Sequence, residues 1–129
     1  MSHPQVSYPN NPDTPTSHLP FSPCVVVDRV VYVSGQASVD QTGKIISDTF
    51  EGEFRRSIEN MIKILGVAGC ELKDVIQTRN YVRDEEDLKL YNQLYAEYFS
   101  NPLPARATLT NCLPSTIRYE IECIAVIPE

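Results

Sequence analysis

A chain of 129 residues suffices for one domain with its own core and falls short of two. Apolar residues make up 42% and charged residues 22%, a globular composition rather than the polar, highly charged one of a disordered chain. A formal net charge of −6, with no long basic run, argues against nonspecific binding to nucleic acid or anionic membrane, while a lone arginine in a pocket stays compatible with small anions.

The first residues are polar and carry prolines at positions 4, 9, 12, 15 and 20, so they lack the charged and apolar regions of a signal peptide. Residues 1–18 are expected to form an extended or disordered arm, and residues 19–129 a single domain. No apolar run approaches the ~20 residues of a membrane-spanning helix, so a soluble, cytoplasmic protein with no membrane partner is expected. Cys24, Cys70, Cys112 and Cys123 are scattered without a C-x-x-C pair, which points to buried free thiols. His3 and His18 both fall in the arm, leaving no basis for a histidine metal centre or catalytic triad.

Two apolar runs, Cys24–Val27 and Val30–Val33, flank Asp28-Arg29 and predict a hairpin. Ser34-Gly35-Gln36 ends the second run, where Gly35 permits a bulge or a close approach of backbone to ligand. Gln41 to Lys44 predicts a further turn. Phe50, Phe54, Ile58, Met61, Ile62 and Leu65 then recur at helical spacing, with Glu53, Arg55, Arg56, Glu59 and Lys63 elsewhere on the wheel. Gly66 and Gly69 supply the stop, and Val75–Val82 predicts a strand. Asp84 is the expected cap of a second helix whose apolar side holds Leu88, Tyr91, Leu94, Tyr95, Tyr98 and Phe99, ended by Asn101-Pro102. These tyrosines suit a core better than a cofactor contact.

The closing stretch runs from Pro104-Ala105-Arg106 through a turn at Leu113–Thr116 to a strand that alternates Ile117, Tyr119, Ile121, Cys123 against Arg118, Glu120, Glu122. Arg106, set among small residues after a proline, has the features of an anion clamp. Antiparallel pairing of Ala107–Asn111 with the last strand would bring Arg106 and Glu120 near one pocket. The order is β-β-α-β-α-β-β. Two helices cover one face of such a sheet, and several strands are apolar on both, so a second copy of the chain is the economical cover for the other.

Ser34-Gly35-Gln36, Asn92 within Tyr91-Asn92-Gln93-Leu94-Tyr95, Pro104-Ala105-Arg106 and Glu120-Ile121-Glu122-Cys123-Ile124-Ala125, in that order, resemble the RidA (YjgF/YER057c/UK114) family of enamine and imine deaminases. The similarity spans Leu19 to Pro128. It implies an α/β (α+β), chorismate-mutase-like fold with a mixed sheet, and a homotrimer around a central β-barrel with clefts between subunits. By the same resemblance Arg106 grips the substrate carboxylate and Glu120 activates the attacking water. Ser34, Gly35, Phe21, Asn92 and Thr108 contribute to the cleft.

Three departures mark this chain. Phe21 stands where many members have tyrosine, Thr108 replaces a cysteine found in some, and the segment from Arg106 to Leu113 is one residue shorter than in close relatives. The implied chemistry takes a 2-aminoacrylate-type enamine through its imine to a 2-oxo acid and ammonia, with no cofactor and no metal. Alternatives are a deaminase specialised for another enamine, such as 2-aminomuconate or 3-aminoacrylate, and a noncatalytic trimer that senses 2-oxo acids or binds protein. A nuclease role fits poorly with the acidic charge and the absence of paired acid and base groups.

Overall fold

The computed structural model describes residues 3–129. In chain order it contains β1 (Val6–Ser7), β2 (Cys24–Val27), β3 (Val30–Ala37), α1 (Phe50–Val67), β4 (Val75–Val82), α2 (Leu88–Tyr98), β5 (Ala105–Thr110) and β6 (Tyr119–Val126). Short 3-10 turns precede β4 and α2, at Leu72–Asp74 and Glu85–Asp87. The strands form one mixed sheet in the order β1-β2-β3-β6-β4-β5.

The β2–β3 hairpin closes as its sequence predicts, with Val27 opposite Val30. Asp28 takes the left-handed turn position at φ 54°, a conformation that aspartate tolerates better than most residues. Opposite β6, the pairing shifts between Val33 and Gln36, so Ser34 and Gly35 form a bulge. α1 begins at Thr49, whose Oγ1 accepts the Gly52 amide at 3.1 Å, a cap that contributes about 1 kcal/mol. Phe54, Ile58, Met61 and Leu65 are fully buried against the sheet, each adding roughly 1.5–3 kcal/mol of burial.

Three helix expectations need correction. Ile62 is exposed and Ile64 takes its place in the core, because the buried stripe runs through 54, 57, 58, 61, 64 and 65 and leaves 62 at its edge. Glu53, expected on the polar face, is buried. Asp84 does not cap α2. Its carboxylate pairs with Arg83 at 3.1 Å, and a 3-10 turn intervenes before Leu88.

The largest correction concerns β5. It pairs parallel with β4, as the α2 crossover between them requires, and β6 enters antiparallel between β3 and β4. Both edges of β6 are thereby filled, so the expected antiparallel partnership of Ala107–Asn111 with β6 does not form.

The arm is extended and tied to the body. Val6 and Ser7 pair with β2, the Gln5 amide donates to Asp28 Oδ1 at 3.0 Å, and Thr14 is buried. Both helices pack on the face that holds Val31, Val33, Tyr119, Ile121 and Cys123. On the opposite face Tyr32 and Leu109 remain 48% and 42% exposed.

Candidate functional site

The registers place Arg106 and Glu120 on opposite faces of the sheet. Arg106 lies opposite Thr78 on β5 and points to the helix side, where its guanidinium carbon sits over the rings of Tyr91 and Tyr95. Glu120 follows buried Tyr119 on β6 and, by the alternation of a strand, points to the open side. The single pocket expected for both therefore becomes two separate clefts.

Arg106 opens onto a cleft of about 490 Å³ lined by Asn92, Tyr95, Phe99, Leu103 and Pro104. Arg29, Arg55, Arg56, Arg79, Arg83 and Arg118 each hold a carboxylate within 4.0 Å. Among the described residues Arg106 has no carboxylate partner, so its fork of N–H donors is available to an incoming anion. Asn92 shares the cleft, while its side-chain amide donates back to the Leu88 carbonyl at 3.1 Å. The Thr108 hydroxyl shares a 2.8 Å hydrogen bond with the Tyr91 hydroxyl and lines neither cleft.

Glu120 lies in a cleft of about 690 Å³ with Phe21, Ser34, Gly35, Ile117 and Glu122, closed on one side by arm residues including Asn10 and Pro15. No lysine or arginine lines it. The bulge brings Gly35 against the Glu120 carboxyl group so closely that a Cβ at position 35 would stand 3.0 Å from Glu120 Cδ. Burial, and secondarily the negative charge of Glu122, hold Glu120 above the ordinary carboxylate pKa. Ser34 lines this cleft, and its hydroxyl proton is already engaged. The hydroxyl donates to the Ser22 carbonyl and the Ser34 amide to the Pro23 carbonyl, which pins the segment carrying Phe21.

An ion pair between Glu120 and Arg118 is absent, because Arg118 turns to the Asp48 carbonyl at 2.9 Å and to Glu53 at 3.7 Å. Glu53 in turn accepts the Arg118 amide at 3.0 Å and the Asp48 amide at 3.1 Å, fixing the entry to β6. Glu122 is held by Arg79 at 3.7 Å and by the Tyr81 hydroxyl. Sequence reasoning missed these placements and the ring seat beneath Arg106. The tyrosine pair one helical turn apart, in a helix that crosses from β4 to β5, was the available signal for the seat. No group of His, Cys, Asp and Glu side chains suited to a metal ion occurs among the described residues.

Two helices behind a six-stranded mixed sheet, with an arginine cleft on one side and a glutamate cleft on the other, define a RidA-like α+β protein. The family model described as Endoribonuclease L-PSP matches residues 12–127, and the chain belongs to this family, that of RidA. The human 2-iminobutanoate/2-iminopropanoate deaminase is 37% identical over 109 residues, 83% of this chain and 80% of the relative. A crystal structure of a putative endoribonuclease from Thermotoga maritima superposes with a TM-score of 0.86 at 32% identity, covering 95% of this chain and 98% of that one. RidA from an Antarctic Psychrobacter gives a TM-score of 0.85 at 28% identity over 94% of this chain and 99% of its own.

Proposed function

We propose that this protein is a hydrolase acting on C–N bonds that converts 2-aminoacrylate-type enamines, through their imines, into 2-oxo acids and ammonia. The observation that carries the reading is Arg106, an arginine without a carboxylate partner beside Asn92, in a chain whose relatives include named imine deaminases. The site is completed between subunits of a homotrimer. Arg106 and Asn92 of one copy face Glu120, Gly35 and Phe21 of the next, since opposite faces of one sheet cannot meet within a chain. That assembly also covers the open face. The four cysteines are free thiols, which suits a reducing, cytoplasmic setting.

Arg106 binds the substrate carboxylate as a bidentate pair and so fixes the imine carbon over Glu120. Glu120, as the carboxylate, takes a proton from water as the water oxygen adds to that carbon. Addition to the protonated imine gives a neutral carbinolamine, and the Glu120 acid returns its proton to the nitrogen. As the C–N bond breaks, the carbinolamine hydroxyl gives its proton to the regenerated Glu120 carboxylate, leaving the 2-oxo acid and ammonia, which carries that proton away. A carboxyl group held above its ordinary pKa serves both steps better than an exposed one. Phe21 and Ile117 wall the side of the cleft away from the carboxylate. The steps require no electron transfer and no cofactor.

The test is a coupled assay in which a threonine dehydratase generates the enamine in situ, with ammonia release followed for wild type, Arg106→Lys and Glu120→Gln. Arg106→Lys is expected to lose most 2-oxo acid binding, because a point charge reproduces a bidentate fork poorly. Glu120→Gln is expected to keep binding and to lose roughly 10²-fold or more in rate, the weight of a general base. Its melting temperature at neutral pH should hold or rise, since no ion pair is removed and a buried charge is. Acceleration by wild type no greater than by buffer, or near-normal turnover of Glu120→Gln, would overturn the reading.

A further inference from the structure

Arg106 differs from the other arginines in being held by aromatic faces without a carboxylate; Arg55 also lies over a ring, that of Tyr98 at 5.8 Å, but it pairs with Glu51 and Glu97 as well. Its guanidinium carbon lies 5.0 Å from the centre of the Tyr91 ring and 4.8 Å from that of Tyr95. The rings stand 5.8 Å apart and are inclined by 63°, so they form a notch rather than a flat platform. Both tyrosines are buried, at 1% and 6% exposure, while Arg106 itself is exposed.

The notch is rigid for reasons the hydrogen bonds supply. The Tyr91 hydroxyl is tied at 2.8 Å to Thr108, two residues beyond Arg106 on the same strand face. The Tyr95 hydroxyl is tied at 2.7 Å to Thr78, directly opposite Arg106 on β4. Asn80 donates to Thr78 Oγ1 at 3.1 Å and to the Ala107 carbonyl at 3.3 Å, so the residue after Arg106 is anchored to the same network. Its Oδ1 accepts the hydroxyl of fully buried Tyr119.

We propose that Tyr91 and Tyr95 are positioning residues that seat Arg106 for carboxylate binding, with Thr108 and Thr78 locking the two rings. A carboxylate neighbour would fix the arginine equally well but would occupy the in-plane N–H donors that the substrate needs. Aromatic faces attract the cation through their quadrupoles and leave that fork free. The seat also places a long side chain in one orientation before the ligand arrives, reducing the rotamer entropy lost on binding. The inference rests on the clamp reading of Arg106 and adds to it a reason for the arginine's readiness.

The test compares Tyr91→Leu, Tyr95→Leu, the two Phe variants and Arg106→Gln in the full-length protein. Readouts are the dissociation constant of 2-oxobutyrate, KM and kcat for 2-iminobutanoate generated in situ, and the melting temperature. Each Leu variant is expected to raise the dissociation constant and KM by roughly 3- to 30-fold, the range of a cation–π contact, with kcat within about twofold of wild type. Each Phe variant keeps the ring and should return the constants to within about threefold of wild type.

Folded Leu variants with wild-type affinity, or Phe variants as weak as Leu variants, would overturn the seat. Unchanged affinity in Arg106→Gln would instead overturn the clamp, and the seat with it. Where a Leu variant fails to fold, the wild-type protein decides through the Arg106 side-chain NMR resonances. Ring currents should shift them from their random-coil positions, and unshifted resonances would overturn the seat.

Discussion

At the scale of single residues the two acids of β6 have different surroundings. Glu122 is held by Arg79 and the Tyr81 hydroxyl, whereas Glu120 has no comparable partner among the described residues and is shifted upward by burial first and by Glu122 second. A raised pKa keeps the acid protonated further into the acid range, so a reaction that needs the carboxylate switches on at higher pH than an ordinary glutamate would allow. Glu122→Gln removes the like charge and favours ionised Glu120, so the acid limb of the pH–rate profile should move to lower pH. The stability sign runs the other way from an ion pair. A raised folded pKa favours folding below the unfolded pKa, and that contribution is lost as pH rises through the folded value. A limb that stays in place, or moves to higher pH, would show that Glu122 does not tune Glu120.

At the scale of elements the β3 bulge and the buried Glu53 separate function from stability. A Cβ at Gly35 would press on the far end of the Glu120 side chain, which can swing away cheaply, and not on backbone. Gly35→Ala should therefore leave the melting temperature nearly unchanged while lowering kcat, as the carboxylate moves off its place. A parallel loss of melting temperature would mean that the bulge itself had been damaged. Glu53→Ala should do the reverse kind of harm, because it strips the Arg118 and Asp48 amides of their acceptor. Loss of about 2 to 3 kcal/mol in denaturant unfolding is expected as two part-buried amides lose their charged acceptor.

The same elements show what the sequence made legible. The hairpin, both helices and β4 follow from local signals, apolar runs and a 3.6-residue stripe. Gly35 marked a place for either a bulge or a close backbone approach, and the expected cap, Asp84, does not form. Arg106 and Glu120 stood out through their setting and the family resemblance. The partner of β5 did not, because strand order is decided by the crossover through α2 and by competition for the edges of β6, neither of which is local. Glu53 escaped for a related reason. A carboxylate at the boundary of a helical stripe is drawn inward by amides that arrive 65 residues later in the chain, at Arg118.

At the scale of the whole molecule, the clamp proposed on one face of the sheet and the proton acceptor proposed on the other make sense when copies meet in a ring. In the closed, heterologous assembly proposed above, the Arg106 cleft of one subunit would face the Glu120 cleft of the next, and each site would draw on two chains. This arrangement has a consequence that a site within one chain cannot produce. Arg106→Gln and Glu120→Gln are each expected to be inactive as pure preparations. After the two are unfolded together in equal amounts and refolded, a site is intact wherever a subunit with Arg106 faces one with Glu120. Random assembly makes this roughly a quarter of all sites. Ammonia release should return to about that fraction of the wild-type rate per site, and mixing without refolding should restore little until subunits exchange. Sedimentation of a stable monomer, or a refolded mixture as inactive as its parts, would leave the two clefts as separate features of one chain and remove the interfacial site.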